Sequence, residues 1–299
     1  MSHACGILNV NKPAGMTSRR AVDRVVERAW PQKVGHAGTL DPLATGVLVV
    51  CIGPATRLIP IIQELPKAYH ATFLLGRRSD TDDIDGHVVE TPDSAPVVRE
   101  QLAELLPRFT GAIEQVPPQF SAVHIDGERA YKLARRGREV EISPRTVEIH
   151  RLSLVRFESP EFELDIECGS GTYVRSIGRD LGELLGCGAV MSALVRTRIG
   201  PYGLDTALSI DDLNAETFAS RLLPAASAVA HLPKHVCHET ELELVRHGRP
   251  VRVENTFDAA TGTAVPHVAM ISPDGTLAAI ARYEPADQSL HPHTVLVQQ

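Results

Sequence analysis

The feature that most constrains the fold is an unbroken apolar segment, residues 47–52 (VLVVCI), which lies between Gly46 and Gly53. It is too short for a typical core helix, and no polar residue interrupts it, so it is typical of a strand buried on both faces. Both faces of such a strand must be covered by other elements. The segment therefore predicts a central strand in a sheet that helices flank.

Two further segments indicate what surrounds this strand. Residues 18–30 carry apolar side chains at helical spacing, with Thr17 or Ser18 as the N-cap and Pro31 at the end. Residues 161–168 alternate strictly, with Phe, Leu, Ile and Cys on one face and Glu and Asp on the other. This alternation predicts a half-buried strand with a solvated acidic face. Together the segments predict an α/β (α+β) fold.

The length of 299 residues predicts about two domains, with one large domain as the alternative. The Ala- and Pro-rich residues 224–233 predict a linker. After this linker we expect a short helix over 239–247 and a hairpin turn at 272–275. The remaining elements are strands, predicted over 251–253, 267–271, 277–283 and 294–297. The expected division is a first domain over 1–228 and a small, mostly β domain over 229–299.

Composition limits the classes of function. Thirty basic and thirty-seven acidic side chains give a net charge of −7, which taken whole argues against a nucleic-acid partner. No apolar run approaches the roughly 18–20 residues that cross a bilayer, and the N-terminus lacks a signal-peptide pattern. The five cysteines are scattered, as in reduced cytoplasmic proteins. Neither they nor the histidines have a recognised metal-ligand spacing, so we expect no metal.

The glycine-rich segment 33–48 (KVGHAGTLDPLATGVL) contains the strongest candidate for chemistry. Asp41 is the sole acidic residue between Arg28 and Gln63, and Pro42 biases it toward an extended conformation. A lone carboxylate in a stiff loop beside a buried strand is typical of a nucleophile or a general base. The alternative is an aspartate that bonds the backbone of its own loop.

Two other segments resemble ligand-binding loops but miss an essential residue. Gly169 and Gly171 lie between a predicted strand and a predicted helix, but Val174 occupies the third position of a dinucleotide fingerprint. The acidic segment 80–85 resembles a calcium loop, but its register puts Pro92 where a bidentate glutamate is required. We therefore interpret the acidic segment as solvated or paired with arginine.

A basic segment, residues 129–138 (RAYKLARRGR), has no acidic residue and includes one tyrosine. This pattern suits contact with phosphates and stacking on bases or sugars, with an ordinary solvated helix face as the alternative. The candidate RNA-binding residues are Arg129, Lys132, Arg135, Arg136 and Arg138.

Residues 35–46 (GHAGTLDPLATG) closely resemble the catalytic motif of the TruB-type tRNA pseudouridine-55 synthases. Residues 6–18 (GILNVNKPAGMTS) are similar to that family's first motif. Further matches follow in order at 117–137, at 168–176 (CGSGTYVRS) and at 194–201 (LVRTRIGP). The resemblance covers about residues 6–202, whereas the last seventy residues match only loosely.

The resemblance implies a pseudouridine synthase catalytic domain, with a mixed sheet flanked by helices and a cleft across it. It implies Asp41 as the catalytic aspartate, paired with Arg175, which lowers its pKa. It implies Tyr69 against the target base, where it aids the carbon-5 proton step. Substrate-binding positions follow in the same way: His36 near the flipped nucleotide, Lys12, Tyr173 and Leu194 lining the pocket, and Asp83 in the Arg175 network.

The resemblance also implies the wider setting. Residues 117–146 correspond to an RNA-gripping thumb, and the C-terminal part to a reduced PUA-like domain. The substrate is the T arm of tRNA, whose uridine-55 is flipped into the pocket and isomerised without a cofactor. We expect a cytoplasmic monomer with no membrane contact and no obligate protein partner.

Three alternatives remain at this point. The same chemistry on guide-directed rRNA normally relies on partner proteins and longer basic extensions, which this chain lacks. A non-catalytic RNA-folding chaperone that grips the T arm belongs to a different class, and the joint presence of Asp41, Tyr69 and Arg175 argues against it as the sole role. A nucleotide-dependent oxidoreductase is disfavoured by Val174.

Overall fold

The structure is a computed structural model that describes residues 4–91, 96–121, 124–125, 128–130, 133, 136, 141–257 and 267–297. The helices of this described part are α1 (Ser18–Ala29), α2 (Ile59–Glu64), α3 (Arg99–Leu105), α4 (Val174–Leu184), α5 (Ala215–Arg221) and α6 (Glu239–Arg246). None of these helices has both the length and the apolar character that crossing a bilayer requires.

The strands fall into two larger sheets and two short hairpins. In chain order they are β1 (Gly6–Lys12), β2 (Val34–His36), β3 (Thr45–Ile52), β4 (Lys67–Leu75), β5 (Arg77–Ser79), β6 (Val88–Glu90), β7 (Gly111–Gln115), β8 (His124–Ile125), β9 (Glu128–Arg129), β10 (Arg145–Glu158), β11 (Glu161–Cys168), β12 (Ala189–Ile199), β13 (Tyr202–Gly203), β14 (Leu208–Ser209), β15 (Lys234–Val236), β16 (Val251–Arg252), β17 (His267–Ile271), β18 (Leu277–Glu284) and β19 (Ser289–Val295).

The main sheet is mixed, with the strand order β14-β1-β3-β12-β4-β11-β10-β7, while β2 also pairs with β3 and β13 with β12. The β1–β14 and β3–β12 pairs are parallel, and the other pairs are antiparallel. The prediction of a central strand over residues 47–52 is confirmed, because β3 lies between β1 and β12. The α/β fold class with a mixed sheet is confirmed as well.

Alternate residues of β3 enter two different hydrophobic clusters, which explains its unbroken apolar sequence. Val47 and Val49 pack on one face of the sheet with the 53–65 segment. Leu48 and Val50 pack on the other face against α1 and α5. The sheet is therefore covered on both sides at this strand, as the sequence required.

A third cluster lies where α3 and α4 cover the other half of the sheet. Phe73 of β4 and Phe162 of β11 stack there with ring centroids 5.1 Å apart, against Ile177 and Leu181 of α4. The β11 side chains alternate between buried and partly exposed, which confirms the half-buried strand predicted over residues 161–168. The same packing sets the position of α4, which starts directly after β11.

Some element boundaries differ from expectation. Residues 99–109 do not form one continuous helix, because α3 is followed by a 3-10 turn, Leu106–Phe109. Pro107 lacks the N–H that a continuing α-helix needs. The strand predicted over 294–297 is β19, which begins earlier, at Ser289, and pairs with β18.

The C-terminal sheet, with the order β15-β17-β18-β19-β16, forms a separate β domain. It packs against the main domain, because Ala269, Leu277 and Ile280 share a cluster with Val47 and Val49. The 224–233 segment, predicted as a linker, includes a 3-10 helix, Ala225–Val229, whose last two residues are fully buried in that cluster. Part of the segment therefore packs in the core. The division at 228/229 stays a prediction.

Candidate active site

Asp41 lies on the loop between β2 and β3, and two elements fix this loop. Ser18, at the start of α1, donates its hydroxyl to the Leu40 carbonyl at 2.9 Å and accepts the Leu40 N–H at 2.8 Å. Within the loop, the Ala44 N–H donates to the Asp41 carbonyl at 3.1 Å. The Asp41 side chain remains 38% exposed. Its carboxylate is thus held in place and still accessible from the cleft.

Lys12 lies behind this loop rather than on an open pocket wall. Its side chain is fully buried, and the ammonium donates to the carbonyls of Met16 at 2.7 Å, Pro13 at 2.9 Å and Pro42 at 3.5 Å. Burial lowers the pKa of Lys12 to about 8, and the nearby Asp41 opposes this change. The lysine therefore ties the first loop of the chain to the loop of Asp41.

Arg175, in the first turn of α4, joins Asp41 to the acidic loop. Its Nε lies 3.1 Å from Asp41 Oδ2, and its Nη1 lies 3.2 Å from Asp83 Oδ2. Nη1 also donates to the Thr81 carbonyl at 2.7 Å, and Nη2 to the Phe120 carbonyl at 3.2 Å. The guanidinium and the Asp83 carboxylate are nearly inaccessible, so this network orients the exposed Asp41 carboxylate from behind.

The acidic segment 80–85 is an arginine-paired loop, as the sequence analysis predicted. Asp83 accepts from the Thr81 hydroxyl at 2.5 Å and from the Asp85 N–H at 3.1 Å, in addition to Arg175. Asp82 pairs with Arg179 of α4 at 3.0 Å. Protein donors therefore occupy these carboxylates, which leaves them poorly suited to bind calcium.

Arg196, in the middle of β12, is completely buried beneath the loop of Asp41. Its Nε donates to the Val47 carbonyl at 2.7 Å, and its Nη groups donate to Gly38 O at 3.1 Å and Thr39 O at 3.3 Å. Its charge also lowers the pKa of the Tyr69 hydroxyl, against the larger rise that burial causes. One guanidinium therefore ties the start of the Asp41 loop to β3 and lies near the tyrosine.

The strand register explains this arrangement. Arg196 pairs with Gly46 on β3 and with Tyr69 on β4, so the three residues form one row across the sheet. Gly46 has φ +98°, and a Cβ there would lie 2.3 Å from the Arg196 carbonyl oxygen. Only glycine permits this close approach of β3 to β12.

Two residues of the site escaped the sequence analysis. Arg196 lies within the LVRTRIGP motif, but its alternation with Arg198 gave no sign that one is buried and the other partly exposed. Gln115 is also buried, and it brackets the backbone of Tyr173, accepting from its N–H at 2.8 Å and donating to its carbonyl at 3.1 Å. A buried glutamine at a strand end has no distinctive sequence signal.

The other predicted pocket residues come from neighbouring elements. Tyr173 is the N-cap residue of α4, and the Arg145 guanidinium lies 4.8 Å from its ring centroid. Leu194 is on β12, two residues before Arg196, and is buried. His36 ends β2, and its buried Nδ1 has no hydrogen-bond partner among the described residues. Burial lowers the pKa of His36, which favours the neutral imidazole.

The pKa of Asp41 depends on burial and on neighbouring carboxylates as well as on Arg175. Burial raises the pKa of Asp41 above its ordinary value, and the charges of Asp83 and Asp85 add to this rise. Arg175 and Lys12 lower the pKa, but the upward effect is larger. The Arg175 effect has the expected direction, but burial and the neighbouring carboxylates outweigh it.

The predicted RNA-binding residues lie mostly outside the described residues, as is the case for Lys132, Arg135 and Arg138. The side chain of Arg129 is likewise outside that set. Arg136 is described, and its Nη1 lies 2.9 Å from Glu128 Oε1. Glu128 precedes the basic segment by one residue, and this contact partly neutralises Arg136.

One group of described side chains has the composition of a metal site, and it lies away from Asp41. His235, Cys237 and Glu241, in the C-terminal domain, have potential ligand atoms within 4.8 Å of one another. Glu241 already accepts the His238 N–H at 2.8 Å and contacts His235 at 3.2 Å. These contacts account for the cluster through helix capping.

Comparisons with known proteins agree with this geometry. Residues 27–174 match the TruB family pseudouridylate synthase (N terminal domain), and residues 175–230 match the tRNA pseudouridylate synthase B C-terminal domain. The tRNA pseudouridine synthase B of Dehalococcoides mccartyi is 40% identical over 98% of this chain and 96% of that protein. The protein of the same name from Chelativorans sp. is 44% identical over 83% of each chain.

A solved structure extends the likeness to the fold. A chain in the crystal structure of a Cbf5-Nop10-Gar1 complex superposes with a TM-score of 0.75 and 25% identity, covering 98% of this chain and 85% of that one. Both sequence motifs and architecture therefore agree over nearly the whole length. The chain belongs to the TruB family of pseudouridylate synthases.

Proposed function

We propose that this chain isomerises uridine-55 in the T loop of tRNA to pseudouridine, with Asp41 as the catalytic aspartate and without a cofactor. The observation that carries this proposal is the accessible Asp41 carboxylate, held 3.1 Å from the buried guanidinium of Arg175. Membership of the TruB family and relatives named tRNA pseudouridine synthase B support the reaction and the substrate.

The chemistry fits these residue types. The isomerisation breaks the bond between N1 of uracil and C1′ of ribose, and forms a bond between C5 and C1′. The proton on C5 leaves and N1 takes up a proton, so the composition of the nucleoside is unchanged. A nucleophile or base in this reaction must be ionised, and Arg175 stabilises the ionised Asp41.

The remaining residues of the site bind and orient the flipped base. Tyr69 offers a ring face to the uracil, and the Arg196 guanidinium lies close enough to its hydroxyl to lower the pKa of that group. Leu194 and Tyr173 provide apolar walls, and the neutral His36 offers a further stacking surface near the catalytic loop. Lys12 and Asp83 act from behind, the first on the loop backbone and the second on Arg175.

The wider assembly is part of the same proposal. Residues 117–146 act as the thumb that grips the T arm, and the C-terminal domain is a PUA-like RNA-binding module. We further propose that the chain acts in the cytoplasm as a monomer, without an obligate protein partner. Light scattering of an active preparation, with and without tRNA, tests whether the protein is a monomer and whether it acts without a protein partner.

The direct test measures tritium release from unmodified tRNA that carries uridine tritiated at carbon-5. Wild-type protein is expected to release tritium, whereas Asp41→Asn is expected to release none while still binding the tRNA. Asp85→Asn is the matched control, because it makes the same substitution at an exposed aspartate of the neighbouring loop and should keep most activity.

A transcript with cytidine in place of uridine-55 tests the position of the modification. Release that persists with this transcript would place the reaction elsewhere on the RNA. Equal tRNA binding with no release from either wild type or Asp41→Asn would overturn the enzymatic proposal in favour of an RNA-folding chaperone.

A further inference from the structure

An uncompensated row of arginines runs along α1. Arg20, Arg24 and Arg28 are spaced four residues apart, so they share one face of the helix, and all three are exposed. None of them forms an ion pair with another described residue, in contrast to Arg19, whose guanidinium lies 2.8 Å from Asp23. The face therefore presents three unpaired guanidinium groups to solvent, and Glu27, also exposed on this helix, forms no ion pair with another described residue.

Several other exposed arginines of the main domain are neutralised. Arg156 contacts three glutamates on the outer face of β10 and β11, and Arg198 lies 2.6 Å from Glu167. Arg78 pairs with Glu183. The row on α1 differs from these paired arginines in having three unpaired guanidinium groups at successive helical turns.

The row ends at an exposed aromatic side chain. Trp30, the sole tryptophan of the chain, follows α1 directly and is 79% exposed. Tryptophan is normally highly buried, and an indole exposed to water gains no stabilisation from the hydrophobic effect. Aromatic rings beside cationic side chains form stacking platforms for nucleotides.

The position of α1 connects this surface to the reaction. Ser18, in its first turn, bonds both the N–H and the carbonyl of Leu40, next to Asp41. At a rise of 1.5 Å per residue, Arg28 lies about 12 Å along the helix from Arg20. The row therefore starts near the catalytic loop and leads away from it over about two helical turns.

We propose that Arg20, Arg24, Arg28 and Trp30 form a second RNA contact, which binds phosphates of the tRNA outside the catalytic pocket and stacks a nucleotide on the indole. The proposal rests on tRNA being the substrate of the neighbouring site. Guanidinium groups favour bidentate contact with phosphate, and a polyanion held at Asp41 must also cover the surface beside the loop.

The sole tryptophan makes the contact directly observable. Binding of an unmodified T-arm RNA hairpin is expected to quench the fluorescence of Trp30, excited at 295 nm, with the same midpoint as filter binding. Trp30→Phe supplies the background control, because it removes the sole tryptophan, and it should bind the RNA more weakly. Emission that stays unchanged through saturation of RNA binding would overturn the stacking contact.

Charge removal tests the arginine row. Arg24→Gln combined with Arg28→Gln should weaken binding roughly tenfold and reduce the slope of log K against log salt by about 1.4–1.8, or 0.7–0.9 for each lost phosphate contact. Arg99→Gln combined with Arg108→Gln is the control, since it removes the same charge from two other exposed positions. All four substitutions place glutamine, a good helix former, at an exposed position, so we expect both variants to fold. Their unfolding temperatures report any loss of stability.

The outcomes separate this inference from the proposed function. If wild type releases no tritium from tRNA, the proposed function fails, whatever the binding data show. If wild type releases tritium but the α1 double variant binds with wild-type affinity and salt slope, the second contact is refuted. Equal weakening in the α1 and control variants would also refute it, because net charge rather than position would then explain the effect.

Discussion

Arg196→Lys is the most informative single substitution in the catalytic domain. The arginine uses three nitrogen atoms to reach Val47 O, Gly38 O and Thr39 O, at 2.7, 3.1 and 3.3 Å. A lysine keeps the positive charge but has one nitrogen, which cannot reach both ends of the catalytic loop. The substitution therefore separates the role of the charge from the role of the guanidinium geometry.

The expected magnitude follows from these contacts. Arg196 is fully buried, so each carbonyl that loses its donor remains without water. One unsatisfied buried group costs about 1–3 kcal/mol, so one or two such groups lower the free energy of unfolding by about 1–6 kcal/mol. For a chain of this length that corresponds to roughly 2–10 °C in unfolding temperature. Loosening the loop by about 1 Å should also lower kcat about 100-fold.

The assay combines thermal unfolding, followed by circular dichroism, with single-turnover tritium release at saturating tRNA. Arg198→Lys is the matched control on the same strand, because Arg198 is 39% exposed and pairs with Glu167 at the surface. That variant should change the free energy of unfolding by less than about 1 kcal/mol. If Arg196→Lys matches Arg198→Lys in both unfolding temperature and kcat, the positioning role of Arg196 is wrong.

Three further predictions concern the pH profile, the strand approach and the shared core. Burial raises the pKa of Asp41, and the proposed reaction needs its ionised form, so activity should fall as pH decreases through a value above the usual 3.9 of aspartate. Asp85→Asn removes a charge that raises this pKa, so the acidic limb of the variant's pH–activity profile should move to lower pH. A shift to higher pH would contradict the assignment of the limb to Asp41. In urea unfolding, Gly46→Ala should lower the free energy of unfolding by about 1–3 kcal/mol more than Gly15→Ala. Both glycines have positive φ, but of the two only Gly46 lies against the backbone of Arg196. Equal effects would mean that the positive φ alone sets the cost. Ile280→Ala should lower the free energy of unfolding by about 2–5 kcal/mol. Because Ile280 lies in the hydrophobic cluster shared by the two sheets, the variant should still unfold in a single transition. A separate early unfolding transition would show that the C-terminal domain unfolds alone.

Local patterns predicted the elements well, because periodicity reports directly on burial. The apolar run of β3, the alternation of β11 and the stripe of α1 each indicated which face packs, and each packs that way. Composition did not predict the short helix in the 224–233 segment, because alanine and proline are common both in linkers and in a 3-10 helix. In that short helix the final residues, Ala228 and Val229, are buried.

The candidate site was only partly predictable for a different reason. Asp41 stood out because it is isolated among apolar and basic residues, a property of one continuous segment. Arg196 did not, because its role depends on pairing with Gly46 and Tyr69, which lie more than a hundred residues earlier in the chain. Register across distant strands arises from the packing of the whole sheet, and no local signal encodes it.

Net charge misleads for a related reason. A phosphate responds to the unneutralised charges within about 8 Å, the Debye length at physiological ionic strength, and not to a sum over the chain. Asp83 and Asp82 of the acidic loop pair with Arg175 and Arg179, and Glu163 and Glu167 of β11 pair with Arg156 and Arg198. Each of these pairs cancels one arginine charge against carboxylate charge. The unpaired arginines on α1 therefore set the local electrostatic potential, even though the net charge of the chain is −7. An RNA approaching α1 therefore meets a positive surface that no count of residues reveals.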